Sequence, residues 1–394
     1  MDEGLERHDE FIEALTNFFE LLPAKALCLP GMYDRVYPYP QIVYNKEFEL
    51  LSRIGQTVSE AIQLIVENYV TCEQLQKYIP VSEEVFSLFA RISHLPVRNC
   101  FLRPDFIQST SSEPLICEIG ARFPLNGYLA SAYLDEAITD ERSIFELHKD
   151  RILDALGVNQ GIEESPQSFE VLILTGKEVG FDIHYLASEI TGVEMMSYTS
   201  EAWREPNQAD LIILELRKEE VESVLDVIVD LMLKGQRFVN DPRTVIVGHD
   251  KMLLKFLKDR AYLSTIIGKE KATFLTNHII ETYSVVHDKI DLRNKSHWVA
   301  KLKHGGKRIG MLVGAVESDE RWSKVNEEFV IQPYIEQTDV QIYNHISRRL
   351  DTANRVGMML TIDGKFIGLG MYRFFSKDLR FLTMGGHIVV EDYQ

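Results

Sequence analysis

Two short apolar stretches contain charges that they cannot bury alone, and this constrains the fold of the chain more than any other feature. Asn99 to Phe106 (NCFLRPDF) reads as a strand with Arg103 and Asp105 on one face, because side chains two apart in a strand point the same way. A polar hairpin, IQSTSSE, follows. The run PLICEIGARFP then reads as a second strand that places Glu118 among apolar neighbours. An unpaired buried carboxylate is costly, so such groups pair or bind metal. Adjacent strands would bring Arg103, Asp105 and Glu118 together. Two readings stand at this point: a structural arginine–carboxylate pair at a sheet edge, or a magnesium site. In the second, the carboxylates hold the ion against substrate phosphates while the arginine neutralises transferred charge.

A basic counterpart lies nearly two hundred residues downstream. Trp298 to Gly310 (WVAKLKHGGKRIG) reads as a short strand with Lys301 and Lys303 on one face, running into a glycine loop that contains Gly306 and closes with Lys307, Arg308 and Gly310. That composition suits a polyphosphate. Phe329 to Gln337 (FVIQPYIEQ) is a β-rich segment whose Gln332 sits between apolar neighbours before a proline, as a backbone edge does against a flat heterocycle. Upstream, HDKMLLKFL reads as a helix entered at His249 and Asp250 with Lys251 in its first turn. A lysine there opposes the helix dipole unless an anion joins it. A solvated surface lysine is the competing reading. His304, in the glycine loop, is equally open as loop filler or catalyst.

The rest of the chain supplies the frame. Asp9 to Leu22 and Glu47 to Tyr69 have apolar residues at helical spacing, and Ser82 caps a third helix. From Phe169 the pattern alternates strand and helix: FEVLILTG, a helix over 181–192, a short strand at Glu194 to Tyr198, ADLIILEL, a helix over 219–234, and RTVIVG at Arg243 to Gly248. Such alternation implies a small parallel sheet. The polar linker Val158 to Ser168 before it marks a boundary. GKEVG lacks both the GxxxxGK[ST] and GxGxxG spacings, so this unit is read as a substrate platform without a phosphate loop of its own. Val356 to Ile362 and Lys365 to Phe374 form a hairpin across Asp363-Gly364. Gly385-Gly386 is a bend or a second phosphate-side loop.

Composition excludes several classes. Against 42 Lys plus Arg stand 60 Asp plus Glu, a formal charge of −18 in 394 residues, and no basic stripe emerges. Nucleic acid is therefore not an expected partner. No apolar run approaches the roughly 20 residues of a membrane helix, and the acidic N-terminus is unlike a signal peptide, so the expectation is a cytoplasmic protein. Cys28, Cys72, Cys100 and Cys117 have no CxxC spacing and read as small buried hydrophobes.

Taken together, DKMLLKFL, VAKLKHGGKRIG and FVIQPYIEQ resemble the ATP-grasp ligases, in which two α+β subdomains clamp ATP. The acidic element that usually follows the hinge stands upstream here, at RPD and CEIGARFP. That order resembles the circularly permuted branch that includes the glutathionylspermidine synthetase-like enzymes. The resemblance implies a mixed α+β and α/β chain: an N-terminal helical segment over 1–95, a permuted part of the ATP-grasp domain with the metal-binding strands over 96–158, a Rossmann-like unit over 159–248, and the nucleotide-binding subdomains over 249–394. It assigns Arg103 to the transferred phosphate and acyl phosphate, and Asp105 and Glu118 to magnesium. Lys251 and Lys301 match the two nucleotide-phosphate lysines, with Lys303 an alternative to Lys301 and Gly306 in the phosphate loop, and Gln332, Pro333, Tyr334 and Ile335 line the adenine edge. Arg122 and Asn126 are candidates to orient a substrate carboxylate. The asparagine of the E-x-N pattern is Gly120 here, so a metal ligand is absent or comes from elsewhere, with Asn126 a candidate, which puts full two-metal occupancy in doubt. The implied activity is an ATP- and Mg²⁺-dependent ligation of a small-molecule carboxylate to an amine through an acyl phosphate. A phosphotransferase and a non-catalytic nucleotide-binding protein are the alternatives. A homo-oligomer is compatible with the sequence, which does not fix the oligomeric state.

Overall fold

A computed structural model describes residues 3–21, 36–111, 113–139, 143–157, 170–178, 180, 182–183, 186, 192–205, 209–306, 310–344, 349–376 and 381–391. The expected linker at 158–168 lies outside these residues, as does most of the helix expected over 181–192.

The helices of the N-terminal region form where the apolar spacing places them. Helix α1 runs Glu3–Leu21 and α2 runs Asn45–Glu67. In α2, Leu51, Ile54, Val58, Ala61, Ile62, Ile65 and Val66 make one continuous buried stripe, which fixes the face turned to the core. Ser82 caps the helix Glu83–Arg91 by accepting the Val85 N–H at 3.2 Å.

In chain order the strands begin with β1 (Gln41–Tyr44), β2 (Phe101–Gln108) and β3 (Pro114–Gly120). The parallel unit follows with β4 (Val171–Thr175), β5 (Val193–Ser197), β6 (Leu211–Glu215) and β7 (Phe238–Val239). A third group comprises β8 (Tyr283–Ser284), β9 (Trp298–Leu302), β10 (Leu312–Val313) and β11 (Phe329–Pro333). The chain closes with β12 (Val340–Asn344), β13 (Arg349–Ile362), β14 (Lys365–Leu369), β15 (Tyr372–Phe375), β16 (Phe381–Gly385) and β17 (His387–Val390).

The central sheet is antiparallel and has β13 as its spine, in the order β16-β15-β13-β2-β3 with β12 and β14 also paired to β13. It therefore unites strands from 96–158 with strands from 249–394. Helix α2 packs on β13 and β14. The β13–β14 hairpin turns at Asp363 and Gly364, both at positive φ (46° and 75°), which suits a tight two-residue turn. Asp363 also accepts the backbone N–H of Cys100 at 2.8 Å, which ties the turn to the start of β2. A small antiparallel sheet, β10-β9-β11-β8, lies beside the central one, and β1 and β17 form a parallel pair.

The third sheet is all parallel, in the order β5-β4-β6-β7. Its last strand is Phe238–Val239 and not the Arg243–Gly248 run expected from sequence; Thr244–Gly248 is a buried π-helical turn against α2. A short β-branched run buried on all sides has the same pattern in either form, and side chains decide the outcome here. The Asn240 amide donates to the carbonyls of Phe101 (2.8 Å) and Ala121 (2.7 Å). Arg243, nearly fully buried, makes a two-pronged contact with Asp241 at 2.9 and 2.6 Å and donates to the Ile92 and Leu95 carbonyls. Asn240 thus docks this segment onto β2 and the end of β3, Arg243 ties it to the 92–95 segment, and the strand stops.

Lys251 also departs from expectation. It is not in the first turn of a helix: the Asp250 side chain accepts the Met252 N–H at 2.8 Å, and the helix begins only at Leu253. The expected strand from Lys365 to Phe374 is divided at Gly370 into β14 and β15. Cys100 and Cys117 are buried free thiols, as expected; Cys72 is half-buried, and Cys28 lies outside the described residues. Among the described residues no helix is long and apolar enough to cross a membrane.

Candidate functional site

An irregularity between β2 and β3 creates the site. Asp105 stands opposite Glu118, but the next pair is Phe106 with Ile116, so Cys117 is an extra residue, a bulge. The Cys117 carbonyl accepts from Lys301 Nζ and from Gln332 Nε2, each at 3.2 Å. Lys301 is on β9 and Gln332 on β11, strands that pair with each other. One bulged residue thus joins the small sheet to the acidic edge of the central sheet.

The acids are each met by a cation. Lys251 Nζ lies 3.1 Å from Glu118 Oε1, and it also donates to the Gly305 carbonyl in the glycine loop. Arg373, on β15, brings Nη2 to 2.6 Å from Asp105 Oδ2. The two carboxylates shift in opposite directions. Burial disfavours ionisation of Glu118, but Lys251 and then Lys301 outweigh it and hold its carboxyl below the usual range. Burial raises Asp105; Arg373 opposes the rise and the nearby Glu118 adds to it.

Two cavities meet at these groups. The first is an apolar slot between Val299, Met311, Val313, Tyr334 and Ile335, with Lys301, Gln332 and Pro333 on its wall. The second is polar and is bounded by Arg103, Arg122, Asn126, Glu178, His249 and Gly306. Asp105, Glu118 and Arg373 line both. Glu118 and Lys301 therefore face one cleft.

Most of the residues singled out from sequence converge here, though not all in the same way. Arg103 lines the second cavity, and its guanidinium holds a loop: Nη1 donates to the Phe123 carbonyl and Nη2 to the Arg122 carbonyl, both at 2.7 Å. Phe123 sits at positive φ (50°) within that loop. The Arg122 guanidinium lies over Gly306, where an added Cβ would fall 2.2 Å from Nη2, so a larger residue there would push the guanidinium aside. Lys303 falls one residue beyond β9; it lines neither cavity, and its carbonyl accepts the Lys251 N–H at 3.1 Å. Lys307 and Arg308 lie outside the described residues. His304 is neither loop filler nor directed at the cavities: it bridges Lys218 Nζ (3.0 Å) and Asp250 Oδ2 (3.3 Å), which fastens the glycine loop to the parallel unit. Gly385 ends β16 and Gly386 separates it from β17, a bend and not a loop.

Arg373 and His249 were not picked out from sequence. Arg373 did leave a signal, a charge inside the apolar strand YRFF, the same signal that marks Arg103 and Glu118. His249 left none; its imidazole Nδ1 contacts the Ile119 carbonyl at 3.1 Å, and burial together with Lys251 and Arg122 keeps it neutral.

The donor set can be tested against a metal. Among the described residues no group of three or more His, Cys, Asp and Glu side chains is placed to hold one. Two opposed carboxylates, Asp105 and Glu118, are nevertheless a donor set of the kind that suits a magnesium ion, which is commonly held by one or two carboxylates plus substrate phosphates.

A family profile of the AnkG N-terminal domain matches residues 54–199, a span that includes Arg103, Asp105 and Glu118. No curated protein matches the chain. Among solved structures, a glutathione synthetase-like effector from Globodera pallida, in its apo form, matches with a TM-score of 0.64 at 10% identity, over 99% of this chain and 98% of that one. At that identity the likeness is one of fold: this chain has a mixed α and β architecture of several sheets similar to that of the effector.

Proposed function

We propose that the protein is an ATP-dependent carboxylate–amine ligase on a circularly permuted ATP-grasp fold, with residues 96–158 and 249–394 forming the clamp and 159–248 a platform for substrate. One observation supports this above the rest: an apolar slot suited to a purine and a polar cavity suited to a substrate meet at the same two acids and one arginine.

In this reading the base lies against Val299, Tyr334 and Ile335 with Gln332 at its edge, and Lys301 and Lys251 receive the phosphates. Asp105 and Glu118 would hold magnesium, which when bound supplies charge neutralisation at the transferred phosphoryl group. Arg373 reaches the same point through its contact with Asp105. In the polar cavity Arg122 pairs with the substrate carboxylate, which attacks the γ-phosphoryl group; an amine then displaces phosphate from the acyl phosphate to give an amide. No nucleophilic side chain is required, because positioning and fixed charge supply most of the rate in phosphoryl transfer.

A second reading, nucleotide binding without chemistry, draws on the glycine at position 120, where the resemblance expects an asparagine. Coupled ADP release over a panel of amino acids and amines, with acid and amine varied independently, separates the possibilities. The ligase reading expects ADP only when both are present. ADP formed with the acid alone, at the same rate and without a trapping nucleophile, indicates a phosphotransferase. No ADP with any pair indicates the non-catalytic reading.

A further inference from the structure

We infer that His249 is the base of the amine step: its Nε2 takes the proton that the amine loses as it attacks the acyl phosphate. The inference rests on the ligase reading above and adds to it the group that moves this proton.

His249 directly follows the buried turn Thr244–Gly248, which packs on α2, and stands two residues before Lys251, whose ammonium meets Glu118. The residue is only 4% exposed, and it lines the polar cavity together with Arg122 and Asn126. Its Nδ1 lies 3.1 Å from the Ile119 carbonyl, a group that only accepts, so Nδ1 carries the hydrogen of the neutral ring and Nε2 the lone pair. The Ala121 N–H approaches the same Nδ1 at 3.4 Å, but one nitrogen cannot donate and accept at once, and the shorter contact decides. Nε2 has no hydrogen-bond partner among the described residues. A buried acceptor without a donor costs free energy, and the N–H of an incoming amine supplies one.

The other groups around the cavity are engaged or are not bases. Glu118 is paired with Lys251, Asp105 contacts Arg373, and Glu178 accepts from Arg217 Nε at 3.1 Å. Arg103, Arg122 and Arg373 keep their protons, and Asn126 offers no basic atom. Burial, then Lys251 and Arg122, depress the basicity of His249. An acyl phosphate brings negative charge to those two cations, which restores part of that basicity at the step that needs it. The step balances among these groups. The nitrogen of the neutral amine bonds to the acyl carbon, the bond from that carbon to the phosphate oxygen breaks, and its electron pair leaves on the oxygen. One N–H proton passes to Nε2 and from there to the departing phosphate, which leaves as hydrogen phosphate.

Hydroxylamine separates the base from the rest of the site, because it reacts with acyl phosphates without a base. Hydroxamate then reports the first half-reaction and amide the second. His249→Asn keeps a donor near the place of Nδ1 for the Ile119 carbonyl and removes Nε2. His249→Gln keeps a hydrogen-bonding atom near the place of Nε2 and removes its basicity. With the full chain, ATP, Mg²⁺ and the acids and amines of the panel above, both variants are expected to form hydroxamate within a few fold of the wild type. Amide formation should fall by about a hundredfold to ten-thousandfold. Amide at the wild-type rate in either folded variant overturns the inference. So does loss of hydroxamate together with amide in a chain that circular dichroism shows to be folded, since His249 would then be a support of β3. A third measurement needs no variant: with amine and hydroxylamine competing for one intermediate in the wild-type chain, the share of amide should fall in D₂O, because its proton is in flight. An unchanged share overturns the inference whether or not the variants fold. A wild-type chain that forms no hydroxamate with any acid sinks the ligase reading itself.

Discussion

Glu118→Gln is expected to abolish acid- and amine-dependent ADP release, with a loss of at least about a hundredfold, while the fold survives. The substitution keeps the shape of the side chain and removes only its charge. That charge is the one feature the site cannot replace, because Glu118 lies where both cavities meet and pairs directly with Lys251 at 3.1 Å. Lys251 keeps its bond to the Gly305 carbonyl in the variant, so the destabilisation should stay within the few kcal/mol typical of a broken buried pair. Circular dichroism and thermal unfolding report on the fold, and the ADP assay on the chemistry. Asp288→Asn is a suitable control: it breaks the Lys255–Asp288 pair (2.9 Å) with the same change of charge, away from both cavities, and turnover should persist. Near-normal turnover in Glu118→Gln would remove Glu118 from the metal site.

The second large effect is on stability. Asp182 and Glu215 are fully buried, and among the described residues Asp182 Oδ1 and Glu215 Oε2 have no hydrogen-bond partner. Burial is the main reason that their pKa values rise to about 7 and about 8, against Arg103, which lowers both. Each folded-state pKa is raised above its unfolded value. Between the two values the folded protein binds more protons than the unfolded chain, so stability falls as pH rises. Between pH 6.5 and 8.5 the groups with depressed pKa contribute little, and the double variant below separates these two acids from Asp105, Cys100 and Cys117, whose pKa values are also raised. Glu118, whose pKa is depressed, loses its contribution only at more acidic pH, and buried neutral His249 weakens the fold only where an unfolded histidine would take a proton, below about 6.5. Over that window the two acids should reduce the unfolding free energy by a few kcal/mol, at ~1.4 kcal/mol per pKa unit. Urea unfolding across the window should show this decline in the wild type and a much flatter profile in Asp182→Asn, Glu215→Gln. A flat wild-type profile, or an unchanged slope in the double variant, would rule out these two acids as its source.

Parts of this arrangement are legible in the sequence because they obey local rules. The Asp363-Gly364 hairpin, the Ser82 cap and the α2 stripe each follow from a few neighbouring residues. The charged positions in apolar strands are legible for a related reason: Asp105, Glu118 and Lys301 stand out against their surroundings, and a charge there requires a partner. Which partner it finds is a different matter. The contact between Arg373 and Asp105 spans nearly 270 residues, and the bulge at Cys117, which directs one carbonyl to both Lys301 and Gln332, exists only once β2 and β3 are paired. Arg103 shows the limit best. Its position in the site follows from its strand, but its bonds to the 122–124 loop and its occupation of the space at Gly120 depend on the return path of β3. The Arg243–Gly248 run fails in the opposite direction: its β-branched residues suit a strand, yet Asn240, Asp241 and Arg243 dock it elsewhere.

The central claim is that one cleft brings a phosphoryl donor to a carboxylate. Incubation of the protein with ATP, Mg²⁺, a panel of amino acids and short peptides, and hydroxylamine tests it most directly, because hydroxylamine intercepts an acyl phosphate without any help from an amine site. The account predicts ADP and hydroxamate in equal amounts for the cognate acid, with neither formed when the acid is left out. ADP that accumulates without hydroxamate, or no response to any acid in the panel, would contradict it.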